Sequence, residues 1–184
     1  MDSDTFLWVI GRGTGAAATV ALSMALLSGV ALRPGFLQWF THNRGLRAVH
    51  DAASLIWLPL GAIHVVALLL DPQAKLAPID VLVPFVASYG VVAIGLGTVS
   101  LDLFAVVMIT SWLRDRMSLG VWLWIHRSSY VAFAAVFAHT LLSGSDFTNP
   151  FLSVVAWLTL FALCAGVGIR LLRAGDRPKV RPGA

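Results

Sequence analysis

Four of the five histidines in this 184-residue chain lie in strongly apolar stretches, at spacings that suit metal ligation. His50 and His64 stand fourteen positions apart in "VHDAASLIWLPLGAIH", and His126 and His139 stand thirteen apart further along. On a helix rising ~1.5 Å per residue, each pair is separated by roughly 20 Å. Two matched levels, each with one imidazole from each of two helices, form an arrangement for two stacked bis-histidine haems. Each iron would take two axial nitrogens from facing helices, and the flat apolar macrocycle would fill the gap between them. A single intramembrane histidine is often only a hydrogen-bonding helix contact, and imidazole also suits a transition-metal pathway. Ion sites, however, bring carboxylates or thiolates beside the histidines, and the neighbours here are chiefly apolar, so haem is the better reading. His42, in a loop beside Arg44, reads as solvated.

The elements that must carry these residues follow from composition. The chain is 58% hydrophobic and 12% charged, with mean hydropathy +0.84, whereas a soluble domain is about a quarter charged. This is the composition of an all-α polytopic membrane helix bundle. A span needs roughly 20 apolar residues, and five stretches qualify: 6–30, 46–70, 88–113, 121–143 and 150–173. From Val81 the third apolar run is overlong, and Pro84 near its start predicts a short interfacial segment before the span proper. Loop charge sets direction. Arg33, Arg44, Arg47, Arg114, Arg116, Arg127, Arg170, Arg173, Arg177, Lys179 and Arg181 fall on one side, and only Arg12 and Lys75 do not. The N-terminus is therefore expected outside and the C-terminus inside, in a multi-pass protein of the cell inner (plasma) membrane. Residues 1–173 read as one membrane domain and 174–184 as a short basic cytoplasmic tail.

His50 and His126 then lie near the inner face, and His64 and His139 near the outer. Fourteen helical steps bring His64 within ~40° of His50, whereas thirteen leave His139 ~140° from His126. Span four must be locally tightened, or the two haems rotated relative to one another. Pro59 makes span two depart from an ideal helix as well.

Other motifs are weaker. "GRGTG", Gly11–Gly15, follows no strand, so a phosphate loop fails on context; Gly11 and Gly15 form a small-xxx-small helix contact instead. Arg12, a charge inside span one, either snorkels to the interface or pairs with an outer haem propionate. Arg47 and Arg127 flank the inner histidines and could neutralise inner propionates; positive-inside charge alone is the competing account. Asp102, the acid well inside span three, is a functional candidate by default. It could accept a ligand histidine's ring N–H, carry protons, or join a plain network with Thr98 and Ser100. Asp51 reads as solvated. Trp8, Trp39, Trp112, Trp122 and Trp124 near span ends read as an aromatic belt. The single cysteine, Cys164, lies in an apolar run and gives no disulfide framework. The N-terminal MDSDTF has no positive n-region of a cleaved signal peptide and reads as part of the mature chain. The basic residues form no aromatic-interleaved patch for nucleic acid. No Ser-His-Asp set, CxxC pair or H-E-x-x-H motif is present.

The spacings H-x13-H and H-x12-H on two non-adjacent spans, with "IGRGTG" in span one, "LLDP" after span two, and "VPF" and "LDL" around span three, resemble the ferric reductase-like transmembrane domain. That family is the haem-carrying membrane core of ferric reductases, NADPH oxidases and the membrane subunit of the methionine sulfoxide reductase system. The resemblance implies two haems b, with His50 and His126 ligating the inner and His64 and His139 the outer. Family members typically have six spans, and five are counted here. Larger reductases continue into FAD- and NADPH-binding domains, while this sequence stops at Ala184. The resemblance therefore implies an oxidoreductase membrane subunit that relays electrons from a cytoplasmic or quinone donor to an acceptor on the outer face. A separate flavoprotein or other redox partner would supply the missing domain. A transition-metal transporter using the same histidines, or a non-catalytic subunit of a larger complex, remains the alternative.

Overall fold

The computed structural model describes residues 2–32, 43–143 and 150–175. His42, Arg33, most of the loop "SGSDFTNP" and the tail from residue 176 lie outside the described residues. Within them every long element is a helix. The order is α1 (Ser3–Ala31), α2 (Asn43–Leu70), short α3 (Pro78–Leu82), α4 (Val91–Trp112), a 3₁₀ turn at Arg114–Arg116, α5 (Leu119–Arg127), α6 (Ser129–Ser143) and α7 (Pro150–Gly175).

Among the described residues three helices are long and apolar enough to cross a membrane: Ser3–Ala31, Arg44–Leu70 and Val91–Trp112. Of the five continuous spans expected from hydropathy, one is divided. The fifth stretch falls within one helix, α7, of 26 residues, whose described apolar part is Ala156–Ile169. The fourth stretch is two helices parted at Ser128. There the Ser128 N–H reaches the Ile125 carbonyl at 3.0 Å, a three-residue rather than four-residue step, and the Ser128 hydroxyl donates to the same carbonyl at 2.7 Å. A three-residue step overwinds a helix by about 20°, a small part of the ~140° that separates His126 from His139 on an ideal helix. The expected interfacial segment before span three is α3, and the span proper begins at Val91 behind Gly90, whose φ of 54° is left-handed and suits glycine.

Helix α1 starts at an N-cap, Asp2, whose carboxylate accepts the Thr5 N–H at 2.8 Å. Its buried face carries small residues, including Gly11, Ala18, Ala21 and Ala25, so the neighbouring backbone comes close. In hydrocarbon, helices associate by such packing because lipid tails are as apolar as leucine. Packing then pairs α1 with α2 and α4 with α6. The core between the pairs holds Leu22, Leu26, Trp57, Phe104, Phe133 and Phe137.

Candidate functional site

Both histidine pairs predicted from spacing are brought together. At the level nearer the arginines, the His50 and His126 rings lie 6.1 Å apart between centroids, edge to face at 67°. Two metal–nitrogen bonds of about 2 Å, plus ~1.1 Å from each ring nitrogen to its ring centre, would set centroids about 6 Å apart. The observed separation matches that length. At the other level, His64 and His139 line a shared cavity of about 730 Å³ bounded by α1, α2, α4, α6 and the segment between α2 and α4. That volume falls within the range of small-molecule and cofactor pockets.

Three of these rings are held in the same way. The Nδ1–H of His50 donates to the Ala25 carbonyl, that of His64 to the Gly11 carbonyl, and that of His139 to the Ala93 carbonyl, each at 2.7 Å. A carbonyl only accepts, so Nδ1 carries the proton in each ring and Nε2 keeps its lone pair. This second contact is the one that commonly orients a metal-binding histidine and raises its basicity. The fourth ring, His126, stacks on Trp122 at 4.8 Å and 21°. The Arg114 guanidinium lies over the Trp122 ring, 5.0 Å from its centre. Trp122 therefore does more than belong to an aromatic belt. Among the described residues no group of three or more His, Cys, Asp or Glu side chains converges to hold a metal ion; the imidazoles occur as pairs.

Between the two levels stands a residue that sequence reasoning missed. Trp57 lies seven positions from His50 and seven from His64. It is buried, its ring centre is 5.2 Å from that of Phe104, and both rings line the cavity. The signal was available, because fourteen is two heptads and a residue at the midpoint of two heptads stays on the seam between wrapped helices.

The remaining candidates divide. Arg12 lines the cavity and sits over the Trp8 ring at 4.6 Å. Arg47 and Arg127 are exposed at the His50/His126 end. Asp102 lies on the exposed face of α4 and does not line the cavity. The carboxylate contact considered for the ligand histidines is made by helix carbonyls instead. Thr98 and Ser100 likewise bond backbone, Thr98 to the Asp80 carbonyl (2.6 Å) and Ser100 to that of Gly97 (2.7 Å). Asp102 takes no part in either bond.

The outer level is also less apolar than the sequence implied. Asp71 and Asp80, buried, line the cavity and are tied down by the N–H groups of Gln73 and Ala77, each at 2.9 Å. Tyr89 closes the same side with a hydrogen bond to the Ala74 carbonyl. Desolvation, with the charges of Asp71 and Asp80, holds its phenol above the ordinary value, so the hydroxyl remains a donor.

Comparison with curated proteins and with solved structures finds no match. The family described as "Ferric reductase like transmembrane component" matches residues 14–137, about two thirds of the sequence, from α1 through Phe137 of α6. Three of the four paired histidines fall inside that stretch, and His139 lies two residues beyond it. The chain therefore belongs to the ferric reductase-like transmembrane family.

Proposed function

We propose that the chain is a transmembrane electron-transfer subunit that holds two haems b, one between His50 and His126 and one between His64 and His139. The observation that carries this reading is the shared Nδ1–H donation of three imidazoles to helix carbonyls, at both levels. It leaves the Nε2 lone pair of each ring to hold a metal ion. The donor set fits the group: each pair of imidazoles would supply two nitrogen ligands, and the cavity at the second level is largely apolar with a few polar residues on one side. At the first level the buried Trp122 Nε1–H has no acceptor among the described residues, and a buried donor calls for one; a carboxylate edge beside His126 would meet it. When bound, haem b supplies a one-electron carrier whose potential follows ligand basicity and burial.

The protein's own residues then have distinct tasks. The four histidines would hold the two haems. Arg12 at the outer level, and Arg47 and Arg127 at the inner, offset propionate charge. Trp57 and Phe104 fill the space between levels and exclude water from it. The donor is a cytoplasmic protein or a quinone, the acceptor lies on the outer face of the plasma membrane, and a separate flavoprotein or other redox partner completes the system.

Reduced-minus-oxidised absorption spectra of the protein purified in mild detergent, with a pyridine haemochrome count, test this. The expected result is a low-spin b-type spectrum with close to two haems per chain, falling to one in His64→Ala while insertion is retained. No haem after expression with ample haem would end the electron-transfer reading and favour transition-metal transport or a non-catalytic subunit. Two haems surviving every single His→Ala change would overturn the ligand assignment.

A further inference from the structure

We propose that Gly15, Gly29 and Gly97 are positioning residues, each a notch in a helix that seats one ligand imidazole and fixes its ring plane. The proposal rests on the haem reading for its consequence, but its geometry stands apart from it. One arrangement occurs three times. His64 donates to the Gly11 carbonyl and lies on Gly15; His50 donates to that of Ala25 and lies on Gly29; His139 donates to that of Ala93 and lies on Gly97. In each case the glycine is four residues after the acceptor. A helical side chain leans toward the N-terminus and covers the turn before its own Cα, so a side chain at that position would sit over the carbonyl. Glycine leaves it open, and the carbonyl accepts the imidazole in addition to its own helix bond.

The fit is tight. A Cβ at Gly15 would stand 2.8 Å from both Cε1 and Nδ1 of His64, and one at Gly97 would stand 2.9 and 2.8 Å from the same atoms of His139. At Gly29 the distances to His50 are both 3.1 Å. All these contacts fall on the ring edge that makes the hydrogen bond, so a methyl group there turns the imidazole and competes with that bond. Gly13, on the same helix as Gly15, has nothing within 4 Å of its would-be Cβ. Gly→Ala alone therefore separates the notches from ordinary helix glycine.

The experiment compares Gly15→Ala, Gly29→Ala, Gly97→Ala and Gly13→Ala in the haem-loaded protein. The readouts are low-temperature electron paramagnetic resonance of the ferric form, which reports the angle between axial ring planes, and the two midpoint potentials. Gly15→Ala and Gly97→Ala should change the same one of the two low-spin signals and move its midpoint. Gly29→Ala should change the other, by less, and Gly13→Ala neither. Unchanged signals and midpoints in Gly15→Ala and Gly97→Ala would overturn the proposal. A second measurement needs no haem. Gly15→Ala should lower the thermal midpoint of the protein, and the loss should vanish when the same change is made in a His64→Ala background. An equal loss in both backgrounds overturns the notch whether or not the protein binds haem, and a haem-free wild type that passes this cycle keeps the notch while refuting the haem reading.

Discussion

Replacing Trp57 by alanine probes the packing between the two histidine levels. Trp57 is 6% exposed against 57% for Leu55, two residues earlier on the same helix. A hydrophobic side chain moved from a membrane-protein core to lipid loses little transfer energy, because lipid is itself apolar. What remains is the cavity. Trp→Ala removes ~140 Å³, and at about 24 cal/mol per Å³ the unrelaxed cost is about 3 kcal/mol. Trp57→Phe removes only ~40 Å³ and should cost about 1 kcal/mol on the same scale, with the ring contact to Phe104 kept in part. For a chain of this size 1 kcal/mol moves the thermal midpoint by about 2–4 °C, so Trp57→Ala should lower it by roughly 6–12 °C and Trp57→Phe by about a third of that. Thermal unfolding in detergent, followed by circular dichroism, measures both. Leu55→Ala, facing lipid, is the control and should move the midpoint little. Equal shifts for Trp57→Ala and Leu55→Ala would refute the argument that this ring fills the interhelical space.

Two further outcomes follow from residues at the margins of the site. Asp102→Asn should leave the haem count and both midpoint potentials unchanged, since this carboxylate is exposed and outside the cavity; loss of either haem in absorption spectra would return it to the site. The Asp2 carboxyl is held below its ordinary value of 3.8, first by the Thr5 side chain and then by the Thr5 backbone N–H. A lowered value stabilises the folded state above the ordinary range, and that support is lost as pH falls through the folded value. The first turn of α1 should therefore fray below about pH 4, seen as faster amide exchange at Thr5, and Asp2→Asn should abolish the pH dependence.

The parts of this architecture that were legible in the sequence are those written in local composition. Histidine spacing, apolar runs and Pro84 announced the paired histidine levels, the helical membrane class and the short helix before span three. What lay hidden depends on partners distant in sequence. A carbonyl has no sequence signature, so nothing in "ALLSG" or "AIGLG" marked Ala25 and Ala93 as acceptors. Gly11 and Gly15 read rightly as a close helix contact, but what comes close is His64. The fault at Ser128 was legible only as an angular misfit, because serine is unremarkable in a helix and its hydroxyl acts by bonding a carbonyl three residues back. Nothing in the loop sequence marked Asp71 and Asp80, and the fold turns them inward, where N–H groups of their own loop satisfy them.

The α1–α2 pair has a further consequence, for how such a chain can change in length. His50 and His64 are fourteen residues apart, and so are their acceptors Ala25 and Gly11 and their notches Gly29 and Gly15. The two helices act as matched rulers running in opposite directions, read at two marks. Point substitution between the marks leaves the count alone. A single inserted or deleted residue on either helix can satisfy one mark only by missing the other, turning that imidazole about 100° away from its carbonyl. Between Gly15 and Ala25, and between His50 and His64, the number of residues is thus a more constrained quantity than most of their identities.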